Sequence, residues 1–293
     1  MQVVFHCGAH GTDEDRLLKT LLRNIARFQR QDISVPGPGR YRQLLKTCFA
    51  ALMADPDHHI GAETLWDQIL DGTTAERVLF SNPHFFGSQR RALDGHLLYP
   101  EAEARVQAMR RMFPTDRLEI FIAMRDPGGF IPNLLEKAAP ERVDEIAQNI
   151  SPQCLRWSDL FQRLRRAAPD VAITTWCYED MPLLWGQIIR RMAALDDDAR
   201  LDGGMDLLAA IMSGEGMKRL RKYLGQFENL SEGQRQKIFA AFLDKYADDS
   251  ALTEEIDLPG WNADVLTAAS AMYDQDVEVV SKMDGIRFLA PEL

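Results

Sequence analysis

Four short apolar runs stand out along the chain, at residues 3–7, 78–81, 118–124 and 171–177. They are rich in Val, Ile, Phe and Thr, and each ends in small or polar residues. Unbroken apolar runs of this length suit strands buried on both faces, as in a parallel sheet covered by helices. Helical patterns separate the runs, so their order predicts an α/β layered fold. The clearest helix follows Thr12. Leu17, Leu18, Leu21, Leu22, Ile25 and Phe28 fall at helical spacing, and Asp13, Glu14 and Asp15 fill the expected first turn, where negative charge is favourable. Pro36-Gly37-Pro38-Gly39 reads as a loop. Further helices are expected at 41–54, 62–70 and 101–113. From about Pro182 only helical patterns are visible, broken by Gly203-Gly204, Gly214 and Pro259-Gly260, with 244–257 strongly acidic. This part reads as helices packed against the sheet and not as an independent module, so one domain is expected over 1–293.

Composition narrows the class. The chain has 293 residues, 46% of them hydrophobic, which is enough for a substantial buried core. A formal charge of −10 argues against nucleic acid as the main partner, because such a surface repels polyanions unless it carries a local basic patch. The apolar runs fall far below the roughly 20 residues of a membrane span, and no basic region precedes the first of them as in a secretory signal. Cys7, Cys48, Cys154 and Cys177 are scattered, with no C-x-x-C pair. They read as small hydrophobes in a reducing compartment, so a cytoplasmic location without a membrane span is expected.

The segment from His6 to Leu18 joins an expected strand to an expected helix. A phosphate-binding loop belongs at such a junction, because backbone N–H groups at a helix N-terminus hold anions. The stretch His6-Cys7-Gly8-Ala9-His10-Gly11-Thr12 resembles the first nucleotide-binding loop of bacterial sulfotransferases, which commonly runs H-x-G-x-x-K-T-G-T-T-S. His6, Gly8 and Thr12 match. Gly11 stands for the lysine, Asp13 for the next glycine, Glu14 and Asp15 for two threonines, and Arg16 for the serine. The changes exchange a cation and two hydroxyls for carboxylates that would face phosphate oxygens. Thr12 or Asp13 could equally serve as a plain helix cap. Further on, Arg125-Asp126-Pro127 resembles the family's strand-end R-[DN]-P signature. Asn133 holds the place of a serine that helps bind the donor's 3′-phosphate, and an Asn amide can still donate there. Weaker similarities run through 35–42, Trp176-Cys177-Tyr178-Glu179-Asp180, Leu258-Pro259-Gly260-Trp261 and Tyr273-x-x-Asp276.

The resemblance implies a P-loop NTPase-like three-layer fold with a central parallel sheet and a helical C-terminal portion. It implies 3′-phosphoadenosine 5′-phosphosulfate as cofactor, held by His6, Gly8, His10, Gly11, Thr12, Arg16, Arg125 and Asn133. It also implies a sulfuryl group passed to a hydroxyl or amine of a small-molecule or glycan acceptor. Such a transfer needs a base, and His84, just after the second expected strand, is the candidate. His6 and His10 could restore some of the loop's lost positive charge. The alternative is a non-catalytic relative that keeps the fold and acts as a binding or interaction protein. An ordinary ATPase or kinase is disfavoured, because G-x-x-x-x-G-K-[ST] is absent. His58-His59 lacks a third ligand at a telling spacing, so no metal site is expected. Arg16, Lys19, Arg23, Arg27 and Arg30 would form a basic stripe on the first helix, either solvated or facing an anion. Phe85-Phe86 would line an acceptor pocket or belong to the core.

Overall fold

The computed structural model describes residues 1–293 except Pro56, Lys137, Glu228, Glu255 and Asp257. The strands are β1 (Gln2–His6), β2 (Ile33–Ser34), β3 (Arg77–Ser81), β4 (Leu93–Asp94), β5 (Leu97–Leu98), β6 (Arg117–Met124), β7 (Ala172–Cys177) and β8 (Ile286–Leu289). The helices before β6 are α1 (Arg16–Arg23), α2 (Ile25–Phe28), α3 (Pro38–Ala54), α4 (Ala62–Leu70) and α5 (Ala102–Met112). Then come α6 (Pro127–Leu135), α7 (Pro140–Asn149), α8 (Trp157–Ala167) and α9 (Met181–Ala193). The last are α10 (Asp206–Ile211), α11 (Gly214–Leu224), α12 (Glu232–Tyr246), α13 (Asp249–Leu252) and α14 (Ala263–Ser281).

Six strands form one parallel sheet in the order β2-β3-β1-β6-β7-β8, and β4 and β5 make a small separate hairpin. All four apolar runs lie in this sheet, with ends within one residue of those expected. Their unbroken apolarity has a plain cause. In β1, Val3 and Phe5 enter the core beneath α3, α5 and α8, while Val4 enters the opposite core beneath α1 and α9. In β6, Ile120 and Ile122 face the first core, and Phe121 and Ala123 the second. A strand with a core on each side has no polar face to show.

Four expectations need correction. First, the C-terminal part is not purely helical, because β8 closes the sheet beside β7. Its four residues alternate between exposed and half-buried before Leu289, so they leave little apolar signal. Second, the Pro36–Gly39 stretch is not all loop: Pro38 opens α3, where its fixed φ and missing N–H suit a first helical position, and Gly37 caps it. Third, the first helix starts at Arg16, so the three acids precede it. Glu14 and Asp15 both adopt left-handed backbone, with φ 49° and 61°. Fourth, that helix breaks at Asn24, whose side chain bonds Thr20 O and both the N–H and C=O of Asp202. The basic stripe is therefore interrupted, and Arg23 turns to Asp206. Within the helical part, α10, α11 and α12 gather around a small core of their own, built on Leu208, Met212, Leu220 and Phe239.

Candidate functional site

The chain leaves β1 toward β2 on one side and leaves β6 toward β7 on the other, so the sheet order reverses between β1 and β6. Ligands of open α/β sheets bind outside the C-terminal strand ends at such a reversal. A cavity of about 650 Å³ lies there. Its walls come from the loop after β1 (Gly11, Thr12, Asp13, Glu14), the turn after β6 (Arg125, Asp126, Gly128) and the Tyr178-Glu179 segment after β7. Residues 251–254, including Leu252 and Glu254, cover it from the C-terminal part.

Arg125 is its central cation, and both of its Nη nitrogens are engaged. Nη1 donates to Gly11 O at 2.6 Å, and Nη2 reaches both carboxylate oxygens of Glu254 at 2.6 and 2.7 Å. Its guanidinium also lies 4.5 Å from the centre of the Tyr178 ring. Only 3% of the residue is exposed. The start of α6 is served from within as well. Asp126 Oδ1 accepts from Gly128 N at 2.7 Å, and Glu179 accepts from Asp126 N at 3.0 Å while Tyr273 donates to its other oxygen at 3.1 Å. Asp13, Glu14, Asp126, Glu179 and Glu254 line this cavity against Arg16 and Arg125. Burial pushes the carboxyl groups of Asp13 and Glu179 above the usual carboxylate range. For Asp13, the nearby Asp15 adds to the effect and His6 opposes it.

The loop after β1 holds its shape by internal bonds. Thr12 Oγ1 donates to Ala9 O at 2.6 Å, and Asp13 Oδ2 accepts from Leu17 N at 3.3 Å. The carboxylate of Asp15 turns away from the helix to Arg42, at 2.6 Å. The backbone N–H groups of Gly11, Thr12, Asp13, Glu14 and Asp15 have no acceptor among the described residues. Gly11 has φ +70°, and a Cβ there would sit 1.7 Å from Asn133 Oδ1. The two departures from the sulfotransferase motif are thus coupled: the Asn133 side chain fills the space that any side chain at position 11 would need.

On the other side of the loop lies a cleft of about 790 Å³, between the N-terminal half of α3 and the segment after β3. Arg42, Lys46, His84, Arg91 and Arg105 line it, and Phe85 and Phe49 stand at its base. A row of rings runs from this cleft into the core. His10 Nε2 meets His84 Nδ1 at 3.2 Å, His10 Nδ1 meets the Tyr99 hydroxyl at 3.0 Å, and that hydroxyl accepts from His10 N at 3.0 Å. Tyr99 is fully buried, so its own proton must go to His10 Nδ1. That assignment puts the His10 proton on Nε2, donating to His84 Nδ1, and puts the neutral His84 proton on Nε2. Burial, and then the neighbouring His84, lowers the His10 pKa to about 4. The His84 pKa is also lowered, mainly by burial, with the charges of Arg42 and Lys46 adding to it and the Gly87 backbone and Asp15 opposing.

The residues expected to act together therefore divide. Gly11, Thr12, Arg16 and Arg125 line the switch-point cavity, with Asn133 packed behind Gly11. His84 opens into the basic cleft instead. His6 lies behind both, buried, with Nδ1 2.9 Å from Ser81 Oγ and its pKa lowered by burial. Gly8 takes φ +45° beside His6 and Pro83. Of the weaker similarities, Glu179 and Tyr273 bond each other. Asp276 accepts from Trp157 N at 2.6 Å and Ser158 N at 3.2 Å, which closes the start of α8. Sequence reasoning missed Glu254, Tyr99 and the site role of Arg42. Glu254 lies within the acidic tract, but nothing in the tract tells which acid reaches Arg125. Comparison of the chain with family models, curated proteins and solved structures finds no match.

Proposed function

We propose that the chain is a P-loop-type, sulfotransferase-like protein that works by binding and does not transfer sulfuryl groups. One observation carries this reading: Arg125, the residue that would hold the donor's 3′-phosphate, is already held by both oxygens of Glu254. A dianionic phosphate entering there must displace a carboxylate and then lie among four more. Two like charges about 4 Å apart cost about 1 kcal/mol in water and several times that where water is partly excluded. No lysine offsets them at Gly11. The histidine chain supports the same reading. In its neutral form His84 accepts at Nδ1 and is protonated at Nε2, so it has no free lone pair with which to take an acceptor's proton.

The test is calorimetric titration of the purified chain with 3′-phosphoadenosine 5′-phosphate at pH 7.5. The expected result is no binding in the micromolar range, and micromolar binding would overturn the proposal. A second reading, transfer from 3′-phosphoadenosine 5′-phosphosulfate, is favoured by the five N–H groups from Gly11 to Asp15 that meet no acceptor among the described residues, since backbone runs of that kind can cradle phosphate. On that reading Glu254 leaves Arg125 when the nucleotide enters, Arg125 and Asn133 bind the 3′-phosphate, and the histidine chain reverses its protons so that His84 can act as base.

A further inference from the structure

The cleft beside α3 gathers positive charge in a chain whose formal balance is −10. Four cationic side chains, Arg42, Lys46, Arg91 and Arg105, come from three separate parts of the chain to line it. Among the described residues, no Asp or Glu is in the lining. Two carboxylates stand behind the cations and partly balance them. Asp15 pairs with Arg42, and Glu101 holds both Arg91 and Arg105, the latter through Nε and Nη2 at 2.9 and 2.8 Å. Lys46 makes no ion pair among the described residues. Two positive charges are left over, and like charges held together raise the energy of the empty cleft.

Two further features point the same way. The N-terminus of α3, a helix of 17 residues, opens into this cleft at Pro38 and Gly39, and no side chain caps it. Such a helix end carries about half a positive elementary charge. The space beside Gly37 and Gly39 is open, with no atom within 4 Å of where a Cβ would stand. The guanidinium groups are also pre-positioned. Arg42 is fixed by Asp15 and the Ser81 carbonyl, and Arg105 lies 5.4 Å from the Phe49 ring centre. Holding donors in place before binding lowers the entropic cost of binding.

We propose that this cleft is a binding site for a small oxyanion carrying two or more negative charges, a phosphate ester or a polycarboxylate, held by Arg42, Lys46, Arg91 and Arg105 at the start of α3. A volume of about 790 Å³ suits a ligand of metabolite size. The proposal goes beyond the binding role argued above, because it names a different cavity from the one the nucleotide would use.

The experiment titrates the full chain with pyrophosphate and with citrate by calorimetry, at constant ionic strength set with sodium chloride. Tighter binding of pyrophosphate assigns the phosphate class, and tighter binding of citrate the carboxylate class. Either is expected to bind, and the double change Lys46→Glu with Arg91→Glu should weaken it by about ten-fold or more. Both side chains are exposed, and an unchanged circular dichroism spectrum should show that the variant still folds. Arg16→Glu, in the switch-point cavity, should leave the affinity as it was. The proposal is overturned if neither probe binds below about 10 mM. It is equally overturned if the double change has no effect, or if Arg16→Glu removes the binding and so places the anion at the nucleotide cavity.

Discussion

The two cavities on either side of the loop after β1 are close in size and opposite in charge. The switch-point cavity has the better address in the fold and the poorer chemistry for an anion: five carboxylates line it, and its buried arginine is already paired. The cleft beside α3 has the humbler address and four cations. One loop serves both. Asp13 and Glu14 face the first, while Asp15 reaches back to orient Arg42 in the second. Neighbouring acids of one loop thus burden an anion on one side and help to organise a basic cleft on the other. Position in a fold says where a ligand can sit, and the side chains say which one.

The largest effect that sharpens this contrast should come from Arg125. Arg125→Ala deletes a buried side chain together with its charged hydrogen bonds to Gly11 O and Glu254 and its contact with the Tyr178 ring, and should cost about 3–5 kcal/mol of folding stability. Urea denaturation measures this. A loss below about 1 kcal/mol would mean that the arginine is held ready for a ligand and is not part of the frame.

Next comes the buried row of rings behind the basic cleft. His10 titrates near 6.5 when unfolded and at about 4 in the fold, so the unfolded chain binds more protons between those values. Its contribution to stability is complete above about pH 6.5 and is lost as pH falls toward 4, by about 3 kcal/mol in all. Denaturation of His10→Asn across this range should show that much less pH dependence than the unaltered chain. Equal slopes would show that the fold does not hold His10 neutral.

Placing a lysine at position 11, as in the sulfotransferase loop that the segment resembles, should fail in an informative way. Gly11→Lys alone places a side chain against Asn133 at a backbone angle that side chains avoid, and should cost about 1–3 kcal/mol. Adding Asn133→Ser should recover part of that loss, and thermal melting of the two variants decides it. No recovery would show that the backbone angle, and not the Asn133 side chain, bars a lysine there.

The smallest effect belongs to Glu254, whose side chain is about half exposed. Glu254→Ala should change stability by about 1 kcal/mol or less, because the Arg125 nitrogen it frees faces the cavity, where water can take the carboxylate's place. It should nevertheless admit inorganic phosphate to Arg125, seen as a new weak binding event on titration. A larger loss of stability with no new binding would mean that Glu254 locks the structure and does not merely occupy the cavity.

Much of the frame was legible in the sequence because burial on both faces leaves a mark. Four apolar runs gave four central strands, and Arg125 and the loop after β1 do meet at one end of the sheet. The edge strands β2 and β8 were not legible, since two and four residues carry too little pattern. The site divided for a similar reason. Arg125 sits at a strand end and could be found by position, whereas its partner Glu254 is 129 residues away in an acidic tract of many equal candidates. His84 was found by the same strand-end logic, but which cavity it faces depends on Tyr99 and His10, and no local pattern announces that contact. The left-handed turn at Glu14 and Asp15, which sends one acid to Arg42, was hidden because three acids in a row look like an ordinary helix start.

The contrast between the cavities is tested most directly by locating one bound anion. A crystal structure grown with pyrophosphate at several times its dissociation constant should place it between Lys46 and Arg91 at the start of α3, with Glu254 still on Arg125. Pyrophosphate on Arg125, with Glu254 displaced and the cleft beside α3 empty, would contradict the account.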